Sequence, residues 1–306
     1  MSYDLVIIGG GPAGVAAGVY AARKRIKTVL ITEAFGGASL VSADIQNWIG
    51  TKSISGLELA KNFEEHLRAQ EGIEIYSPDV VEKIEKNIDS FKVFTKEGNV
   101  FETKTVLVAT GSARKKLNVP GEKELDGKGV VYCSTCDAPL FKGKAVAVIG
   151  GGNAGLEAVV DLLAYASSIK LLEFGPALKG DPVTQDKIKK DSKVTIITNA
   201  KTLEITGGQF VNGLVYEDQL SKEKKQLAVD GVFVEIGAYP NVGFVKDLVK
   251  VNGFGEIIVD HKTQQTSQSG IWAAGDASDV IYKQNNISAG DAVKAVLNIV
   301  DHLNKA

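Results

Sequence analysis

Two cysteines in the middle of the chain have a spacing that suits redox chemistry. Cys133 and Cys136 are the only cysteines among 306 residues, and Asp137 follows directly. Two thiols at this spacing can close into a small disulfide ring that stores two electrons. A structural zinc site needs about four ligands, and the histidines of the chain lie far away in sequence. A structural disulfide here would close too short a loop to stabilise the fold much, so the sequence predicts a redox-active pair.

A glycine-rich turn near the N-terminus is typical of dinucleotide binding. The motif Gly9-x-Gly11-x-x-Gly14 follows the apolar run 5–8 and opens an alanine-rich helix. Its glycines permit a tight turn, a close approach of a pyrophosphate and close packing of helix on strand. The next predicted strand ends at Glu33, about 20 residues on, where a carboxylate accepts hydrogen bonds from a ribose. The alternative is a glycine turn that binds nothing, and the strand, the spacing and the acid together favour a dinucleotide.

A second copy of the motif, Gly150-x-Gly152-x-x-Gly155, follows another predicted strand and opens another helix. Two such motifs in one chain imply two dinucleotides and electron transfer between them. The strand after the second motif ends at Glu173. A carboxylate at this point binds the 2′-hydroxyl of NADH and repels the 2′-phosphate of NADPH. Lys179 is the nearest suitable cation, and its side chain either reaches a pyrophosphate or lies in solvent.

The overall composition excludes several classes of function. The net charge of −2 and the pI near 6.0 make nucleic acid an unexpected partner. No apolar run approaches the roughly 20 residues that span a bilayer, so no membrane association is expected. The first residues enter an apolar strand without the pattern of a signal peptide, which predicts a cytoplasmic location. No metal site is predicted.

Small residues at the ends of other predicted strands suggest further cofactor contacts. The strand 106–109 ends in Thr110-Gly111, which would let a cofactor lie against bare backbone. Asp276 ends an apolar strand near the C-terminus and would cap a turn, bind a ligand or do both. Asn47 is interpreted as a turn former or a ligand contact. The last helix is predicted to begin at Ser288, with Val293, Val296, Leu297 and Val300 facing inward.

In their order along the chain, these motifs resemble those of the low-molecular-weight thioredoxin reductases. The resemblance is carried by residues 9–14, Asn47, 109–111, 133–137, 150–155, 236–241 and 274–276, and runs essentially end to end. Within the family, residues 172–174 and 282–284 resemble those of the flavoprotein subunits of alkyl hydroperoxide reductases, whose extra N-terminal domain is not expected here.

The resemblance implies an α/β fold with two Rossmann-like, three-layer ββα dinucleotide-binding domains, the second inserted in the first. The implied FAD domain is residues 1–116 and 242–306, and the implied pyridine-nucleotide domain, which carries the cysteines, is residues 117–241. A homodimer is implied as well. Electrons would pass from NAD(P)H to FAD, to the Cys133–Cys136 disulfide and then to a thioredoxin-like protein.

The resemblance also assigns roles to residues. Cys133 would attack the protein substrate, Cys136 would be the sulfur on the flavin side, and Asp137 would be the general acid/base. The FAD contacts would be Gly9, Gly11, Pro12, Ala13, Gly14, Glu33, Gly36, Gly37, Ala38, Asn47, Ala109, Thr110, Gly111, Gly275, Asp276, Lys283, Gln284 and Asn285. The NAD(P)H contacts would be Gly150, Gly152, Asn153, Ala154, Glu173, Lys179, Ile236 and Gly237.

Four departures from the family pattern affect these expectations. Ala38 stands where the family usually has Gln, Ala138 replaces a common Gly, and the pair 285–286 is more polar than usual. The family's NADPH signature, a His followed by two Arg, reads Glu173-Phe174-Gly175 here, so NADH is expected to be preferred over NADPH.

Alternatives to the reduction of a thioredoxin-like protein are a glutaredoxin-like or peroxiredoxin partner, a flavin dithiol oxidase, a redox sensor, or a ferredoxin-fed enzyme. The second glycine motif argues against the oxidase and the ferredoxin-fed enzyme.

Overall fold

The structure is a computed structural model that describes residues 2–42 and 44–305. Its strands, in chain order, are β1 (Ser2–Gly10), β2 (Thr28–Phe35), β3 (Ile73–Tyr76), β4 (Val81–Lys86), β5 (Phe91–Thr95), β6 (Val100–Val108), β7 (Ser112–Arg114), β8 (Val130–Val131), β9 (Ala145–Ile149), β10 (Ser168–Leu172), β11 (Val194–Ile197), β12 (Ala200–Gly207), β13 (Val211–Asp218), β14 (Lys224–Leu227), β15 (Gly231–Val234), β16 (Ala238–Pro240) and β17 (Ile271–Ala273). The α-helices are α1 (Pro12–Arg23), α2 (Gly56–Arg68), α3 (Ser134–Asp137), α4 (Asn153–Leu162), α5 (Pro182–Lys189) and α6 (Asn285–Leu303). Short 3-10 helices cover Gly37–Val41, Ala138–Phe141 and Gly275–Ala277.

The chain divides into two compact units. One unit extends to Ala113 and resumes at Tyr239, and the other is Arg114–Ala238. Each division falls three residues before the domain boundary predicted from the sequence, at 113 rather than 116 and at 238 rather than 241. The short strands β7 and β16, where the chain crosses from one unit to the other, form a two-stranded sheet.

The first unit is built on a sheet with the strand order β3-β2-β1-β6-β5-β4, in which β17 also pairs with β6. The pairs β1–β2, β1–β6, β2–β3 and β6–β17 are parallel, whereas β5 pairs antiparallel with β6 and β4 pairs antiparallel with β5. Helix α1 lies so close to the end of β1 that a Cβ atom on Gly14 would collide with the carbonyl oxygen of Gly9. This close packing is the structural reason for the third glycine of the motif.

The second unit repeats this arrangement with a parallel sheet in the order β11-β10-β9-β15-β8. The unit also contains a separate antiparallel sheet in the order β12-β13-β14, whose strands come between β11 and β15 in the sequence. The strands of the parallel sheet are apolar over nearly their whole length, as expected for strands that are covered on both faces. The predicted fold class, with two Rossmann-like units, is therefore confirmed.

The last helix begins at Asn285, three residues before the start predicted at Ser288. Gln284 has the extended backbone of an N-cap residue (φ −134°), and the N–H of Ser288 already donates to the carbonyl oxygen of Gln284 within the first turn. The inward face consists of Ala292, Ala295, Val296 and Ile299, whereas Leu297, predicted to face inward, is 40% exposed. The sequence-based start was wrong because Ser288 is a good capping residue that lies inside the helix.

The segment 117–122, which contains Pro120 and Gly121, is an ordered part of the second unit. Leu117 and Val119 pack against the hydrophobic core of that unit. The carboxylate of Glu122, 4% exposed, accepts hydrogen bonds from the backbone N–H groups of Leu117 (2.9 Å) and Asn118 (2.6 Å) and from the Tyr132 hydroxyl (3.0 Å). Proline and glycine mark a turn here rather than a flexible connection. Across the described ranges, no helix has the length and apolar character needed to cross a membrane.

Candidate redox and cofactor sites

The cysteine pair forms a disulfide at the start of a single helical turn. Cys133 and Cys136 are bonded, with their Cα atoms 5.4 Å apart. Cys133 is the N-cap residue of α3, and its carbonyl oxygen accepts a hydrogen bond from the Asp137 backbone N–H (3.0 Å). Both cysteines are partly exposed.

A carboxylate from the neighbouring helix holds this turn in place. Asp161, near the end of α4, accepts a hydrogen bond from the Ser134 hydroxyl (2.8 Å) and a longer one from the Thr135 hydroxyl (3.4 Å). Ser134 and Thr135, between the cysteines, therefore attach the turn 133–137, called the redox turn below, to helix α4. A hydroxyl at each position is what this anchoring needs.

The acid that follows the pair is suited to proton transfer. Asp137 is 8% exposed, and burial raises the pKa of its carboxyl group to about 6. A carboxyl group with this pKa exchanges protons near neutral pH, which is what a general acid/base requires. Asp137 is also the last residue of α3, directly after Cys136.

The second glycine turn is held by an acid at the end of β10. Glu173, 6% exposed, accepts hydrogen bonds from the backbone N–H of Gly151 (2.7 Å) and of Gly175 (2.7 Å). Gly150 has a φ of +119°, and a Cβ atom there would collide with the backbone carbonyl of Glu235. The tight turn therefore requires glycine at position 150, and the Glu173 carboxylate fixes the turn's shape.

The other residues predicted to contact a pyridine nucleotide differ in their exposure, contacts and backbone conformation. Ala154 is exposed in the first turn of α4, and the Asn153 side chain beside it accepts a hydrogen bond from the Asp181 N–H (2.7 Å). The Lys179 side chain is 75% exposed, with its Nζ 3.9 Å from Glu173 Oε1. Ile236 packs against the core of the unit. Gly237 has a φ of +96°. Gly152 is the N-cap residue of α4, and its place there leaves the first N–H groups of the helix available to a phosphate.

The first unit contains a cavity of about 890 Å³ at the carboxyl ends of β1 and β2. Most of the predicted FAD contacts line it: Gly9, Gly11, Pro12, Ala13, Glu33, Gly37, Ala38, Ala109, Thr110, Gly111, Gly275, Asp276 and Asn285. Binding sites for large ligands commonly have volumes of roughly 300–1,000 Å³, so the cavity is large enough for a dinucleotide.

The lining of this cavity fits a flavin dinucleotide. Gly11 and Gly37 lie close together, and a Cβ atom on Gly37 would come within 3.3 Å of the Gly11 Cα, so bare backbone faces the cavity there. The N-terminal ends of α1 and α6 both contribute to the lining, and neither helix has an acidic residue in its first turn. Helix N-termini of this kind favour phosphate groups. The Glu33 carboxylate is exposed at the wall and makes no hydrogen bond to the residues that the structure describes, so it remains available to a ribose.

Five predicted FAD contacts lie outside the lining: Gly14, Gly36, Asn47, Lys283 and Gln284. The Asn47 side chain donates to the Gln284 side-chain oxygen (3.3 Å), so these two residues connect a loop to the start of α6. Lys283 donates to the Ser278 carbonyl oxygen (2.6 Å) and pairs with Glu256 (2.9 Å). Gly14 and Gly36 shape the backbone around the cavity.

A comparison with family profiles identifies the chain. The profile described as "Pyridine nucleotide-disulphide oxidoreductase" matches residues 3–293. The chain belongs to this family. This membership confirms the resemblance found in the sequence.

Curated relatives in this family are longer than the chain. A Bacillus subtilis (strain 168) protein named NADH dehydrogenase is 44% identical over 301 residues, which are 98% of this chain and 58% of that protein. A protein of Staphylococcus aureus (strain N315), named as one subunit of an alkyl hydroperoxide reductase, is 43% identical over 98% of this chain and 59% of its own length. The chain thus spans less than two thirds of these relatives.

Solved thioredoxin reductases match the pyridine nucleotide-disulphide oxidoreductase chain over its full length. The enzyme from Streptococcus pyogenes MGAS5005 is 33% identical, with a TM-score of 0.93 over 100% of this chain and 99% of its own. The enzyme from Giardia duodenalis has the same TM-score at 28% identity, over 99% of both chains.

Sequence reasoning missed part of each site. The cavity is also lined by residues 79–82, at the start of β4, by Asn241, Gly243 and Phe244, and by Ser288. No motif marks the segment 79–82, because its place follows only from the way the antiparallel strands extend the sheet. In the second unit, Asp161 was also missed, because nothing in the sequence of α4 indicates that this carboxylate contacts Ser134 and Thr135.

Proposed function

We propose that the chain is a thioredoxin-reductase-like flavoprotein that uses Cys133 and Cys136 to reduce the disulfide of a thioredoxin-like protein, with NADH as the preferred electron donor. The observation that carries this proposal is the disulfide between the partly exposed Cys133 and Cys136 on a single helical turn, followed by the buried Asp137 with its pKa raised to about 6. The geometry supports dithiol–disulfide exchange rather than a structural role, because the ring closes only a four-residue segment.

The cysteines perform the exchange in two steps. In the reduced pair, the Cys133 thiolate attacks one sulfur of the partner's disulfide, and the other partner sulfur leaves as a thiolate. Asp137 in its protonated form supplies a proton to that leaving thiolate. Cys136 then attacks the Cys133 sulfur, which re-forms the Cys133–Cys136 disulfide and releases the partner's second thiol. Each cycle passes two electrons and two protons to the partner.

The cavity of the first unit is proposed to hold FAD. When bound, FAD would supply a two-electron carrier between the pyridine nucleotide and the disulfide. The glycine backbone at 9–11 and 37 would lie against its phosphates, and Glu33 would accept hydrogen bonds from its ribose. Asp276, in the last 3-10 helix, and Asn285, at the start of α6, would contact it from the C-terminal part of the chain. Lys283 and Gln284, two of the five predicted contacts outside the lining, would support the site from the segment before α6.

NADH preference is supported by charge. Glu173 places a buried carboxylate at the end of β10, where the 2′-phosphate of NADPH would have to lie. Arg114 is the sole arginine in the sequence of the unit 114–238, and it pairs with Glu235 rather than with the glycine turn. The relative named NADH dehydrogenase, 44% identical, agrees with this preference.

The partner is proposed from the relatives. Thioredoxin reductases match the whole chain in structure, which favours a thioredoxin-like protein. The sequence relatives named as alkyl hydroperoxide reductase components favour a second candidate, a peroxiredoxin-linked partner. A homodimer in the cytoplasm completes the proposal.

Anaerobic stopped-flow absorbance tests the proposal directly. The FAD-loaded protein is mixed with NADH or NADPH, and oxidised thioredoxin or an oxidised peroxiredoxin is then added in separate runs. Rapid loss of the flavin band with NADH, and its return with thioredoxin, is the expected result. Return only with the second acceptor would identify the peroxiredoxin-linked function. If NADH and NADPH both leave the flavin band unchanged, the proposed function is wrong.

A further inference from the structure

The redox turn contains a helix of a single turn, which has little stability of its own. The Asp137 N–H donates to the Cys133 carbonyl oxygen (3.0 Å), and the Ala138 N–H donates to that of Ser134. The first turn of a helix is costly to form, and a helix this short gains few hydrogen bonds in return. The disulfide joins Cys133 to Cys136, with their Cα atoms 5.4 Å apart, and holds the turn while the pair is oxidised. Reduction removes that covalent support.

The chain on either side of the redox turn is fixed by other contacts. Before the turn, β8 pairs with β15, and the Tyr132 hydroxyl donates to the buried Glu122 carboxylate (3.0 Å). After the turn, Ala138 and Phe141 are buried in a hydrophobic core that includes Leu156 of α4. These contacts fix where the turn begins and ends, and the side chains between the cysteines are held separately.

One carboxylate oxygen, Oδ2 of Asp161, accepts hydrogen bonds from both side chains between the cysteines. It lies 2.8 Å from the Ser134 hydroxyl and 3.4 Å from the Thr135 hydroxyl. Ser134 is 8% exposed, so water competes little for its hydroxyl. A hydrogen bond to a charged acceptor is stronger than one between neutral groups. Because neither bond involves a sulfur atom, both can persist when the disulfide opens.

Asp161 occupies a position that a helix disfavours for an acid. It is the second-last residue of α4, at the negative end of the helix dipole, and α4 has no basic residue in its last turn. The two hydroxyl groups of the redox turn offset part of this unfavourable charge. The contact with the redox turn, rather than the stability of α4, therefore accounts for an acid at this place.

We propose that Asp161 is a positioning residue that keeps the reduced redox turn in the conformation from which the disulfide re-forms. The disulfide and the hydrogen bonds to Asp161 order the same short segment, so each lowers the entropy cost of forming the other. Asp161 therefore stabilises the disulfide relative to the two thiols, and it favours the attack of Cys136 on Cys133 that completes the exchange. The inference rests on the proposed function only for the use of Cys133 and Cys136 as a redox pair.

Equilibration with glutathione measures this stabilisation. The FAD-loaded protein is incubated without oxygen or NADH in mixtures of reduced and oxidised glutathione. Two glutathione thiols become one glutathione disulfide as the protein disulfide opens into two thiols. Acid quenching, alkylation and mass spectrometry then give the fraction of protein that contains the Cys133–Cys136 disulfide. Asp161→Ala is expected to lower the equilibrium constant for formation of this disulfide by about fivefold or more.

Variants on both sides of the hydrogen bond make the test specific. Ser134→Ala should also lower the equilibrium constant, and it should have little further effect in a protein that already carries Asp161→Ala. Asp161→Asn keeps an acceptor oxygen, so the constant should fall less than in Asp161→Ala. The matched control is Glu157→Ala, which removes an exposed acid one turn earlier on α4 and should leave the constant unchanged.

Two results would overturn the proposal. One is an equilibrium constant in Asp161→Ala that equals that of the parent protein or that of Glu157→Ala. The other is full additivity of Ser134→Ala and Asp161→Ala in the double variant, because the two groups would then not act through one hydrogen bond.

Ser134→Ala decides the question if Asp161→Ala fails to fold. It removes the shorter hydrogen bond without a change in α4, so an unchanged equilibrium constant in Ser134→Ala would contradict the proposal. The measurement requires neither NADH nor a protein partner. The expected fall in a protein that reduces no thioredoxin would therefore separate failure of the proposed function from failure of this inference.

Discussion

The carboxylate of Glu173 accepts a 2.7 Å hydrogen bond from the backbone N–H of Gly151, inside the second glycine turn. Its other oxygen accepts from the N–H of Gly175. The acid at the end of β10 is thus part of the turn itself before any nucleotide binds. A substitution here should change both the shape of the nucleotide site and its selectivity.

Replacing Glu173 with Arg is expected to raise the ratio of NADPH use to NADH use by tenfold or more. The arginine supplies a positive charge for the 2′-phosphate, and the loss of the carboxylate removes the repulsion. At the same time, two backbone N–H groups lose their acceptor at a cost of about 1–3 kcal/mol each, so kcat/KM with NADH should fall. Steady-state kinetics with both nucleotides measure the ratio.

Lys179→Gln is the control for this prediction. The Lys179 side chain is 75% exposed, so its removal should change the ratio little compared with Glu173→Arg. An unchanged ratio in Glu173→Arg would show that selectivity lies elsewhere in the second unit.

Replacing Cys133 or Cys136 with Ser should abolish reduction of disulfide proteins. Each change removes one sulfur of the pair, so the two-step exchange cannot be completed. Loss of the flavin band on addition of NADH should persist, because both glycine turns are intact. The measurement compares thioredoxin-dependent NADH oxidation with anaerobic flavin absorbance in the same preparation. Thioredoxin reduction that survives in either variant would contradict a role for the disulfide.

The buried carboxyl group of Asp137 should make the stability of the folded protein depend on pH. Its pKa is raised from 3.8 to about 6 by burial, so the folded state favours the protonated form. The cost of its charge is absent below pH 3.8, grows as the pH rises and is complete above about 6, where it reaches about 3 kcal/mol. Asp137→Asn should therefore gain stability relative to the parent protein between pH 4 and pH 7. Urea unfolding of the oxidised, FAD-saturated protein at several pH values measures this gain.

The same series on Asp89→Asn controls for general effects of lost charge. Asp89 is exposed in the turn between β4 and β5, so its stability curve should stay parallel to that of the parent protein. If the Asp137→Asn curve is parallel as well, burial does not set the protonation of Asp137.

The elements that the sequence predicted best are those whose signals are local. Both glycine turns follow buried strands and open helices, because strand, glycine spacing and helix start are adjacent in the chain. The start of α6 was wrong because Ser288 has the properties of a cap, yet Gln284 takes that place. A capping residue is identified by backbone geometry, which the sequence does not record.

The parts that escaped prediction depend on contacts between distant segments. The cavity wall at 79–82 and at Asn241, Gly243 and Phe244 is brought to the glycine turn only when the whole sheet has formed. In the second unit, Val232 of β15 pairs with Val130 of β8, a contact between distant segments that only the formed sheet creates. The sequence identified the chemical groups of the site, and the fold supplies their surroundings.

The free carboxylate of Glu33 should contribute measurably to FAD affinity. It is exposed at the cavity wall, and a hydrogen bond from a ribose hydroxyl to a charged acceptor contributes about 1.5–3 kcal/mol. Glu33→Ala should therefore weaken FAD binding by roughly 10- to 100-fold. Glu33→Gln keeps one acceptor oxygen and should lose less. Titration of the apoprotein with FAD, monitored by flavin fluorescence, measures the FAD affinity of both variants. As a control, Glu71→Gln, an exposed change outside the cavity lining, should bind FAD with the affinity of the parent protein. Equal affinities in Glu33→Ala and the parent protein would show that Glu33 does not bind the cofactor.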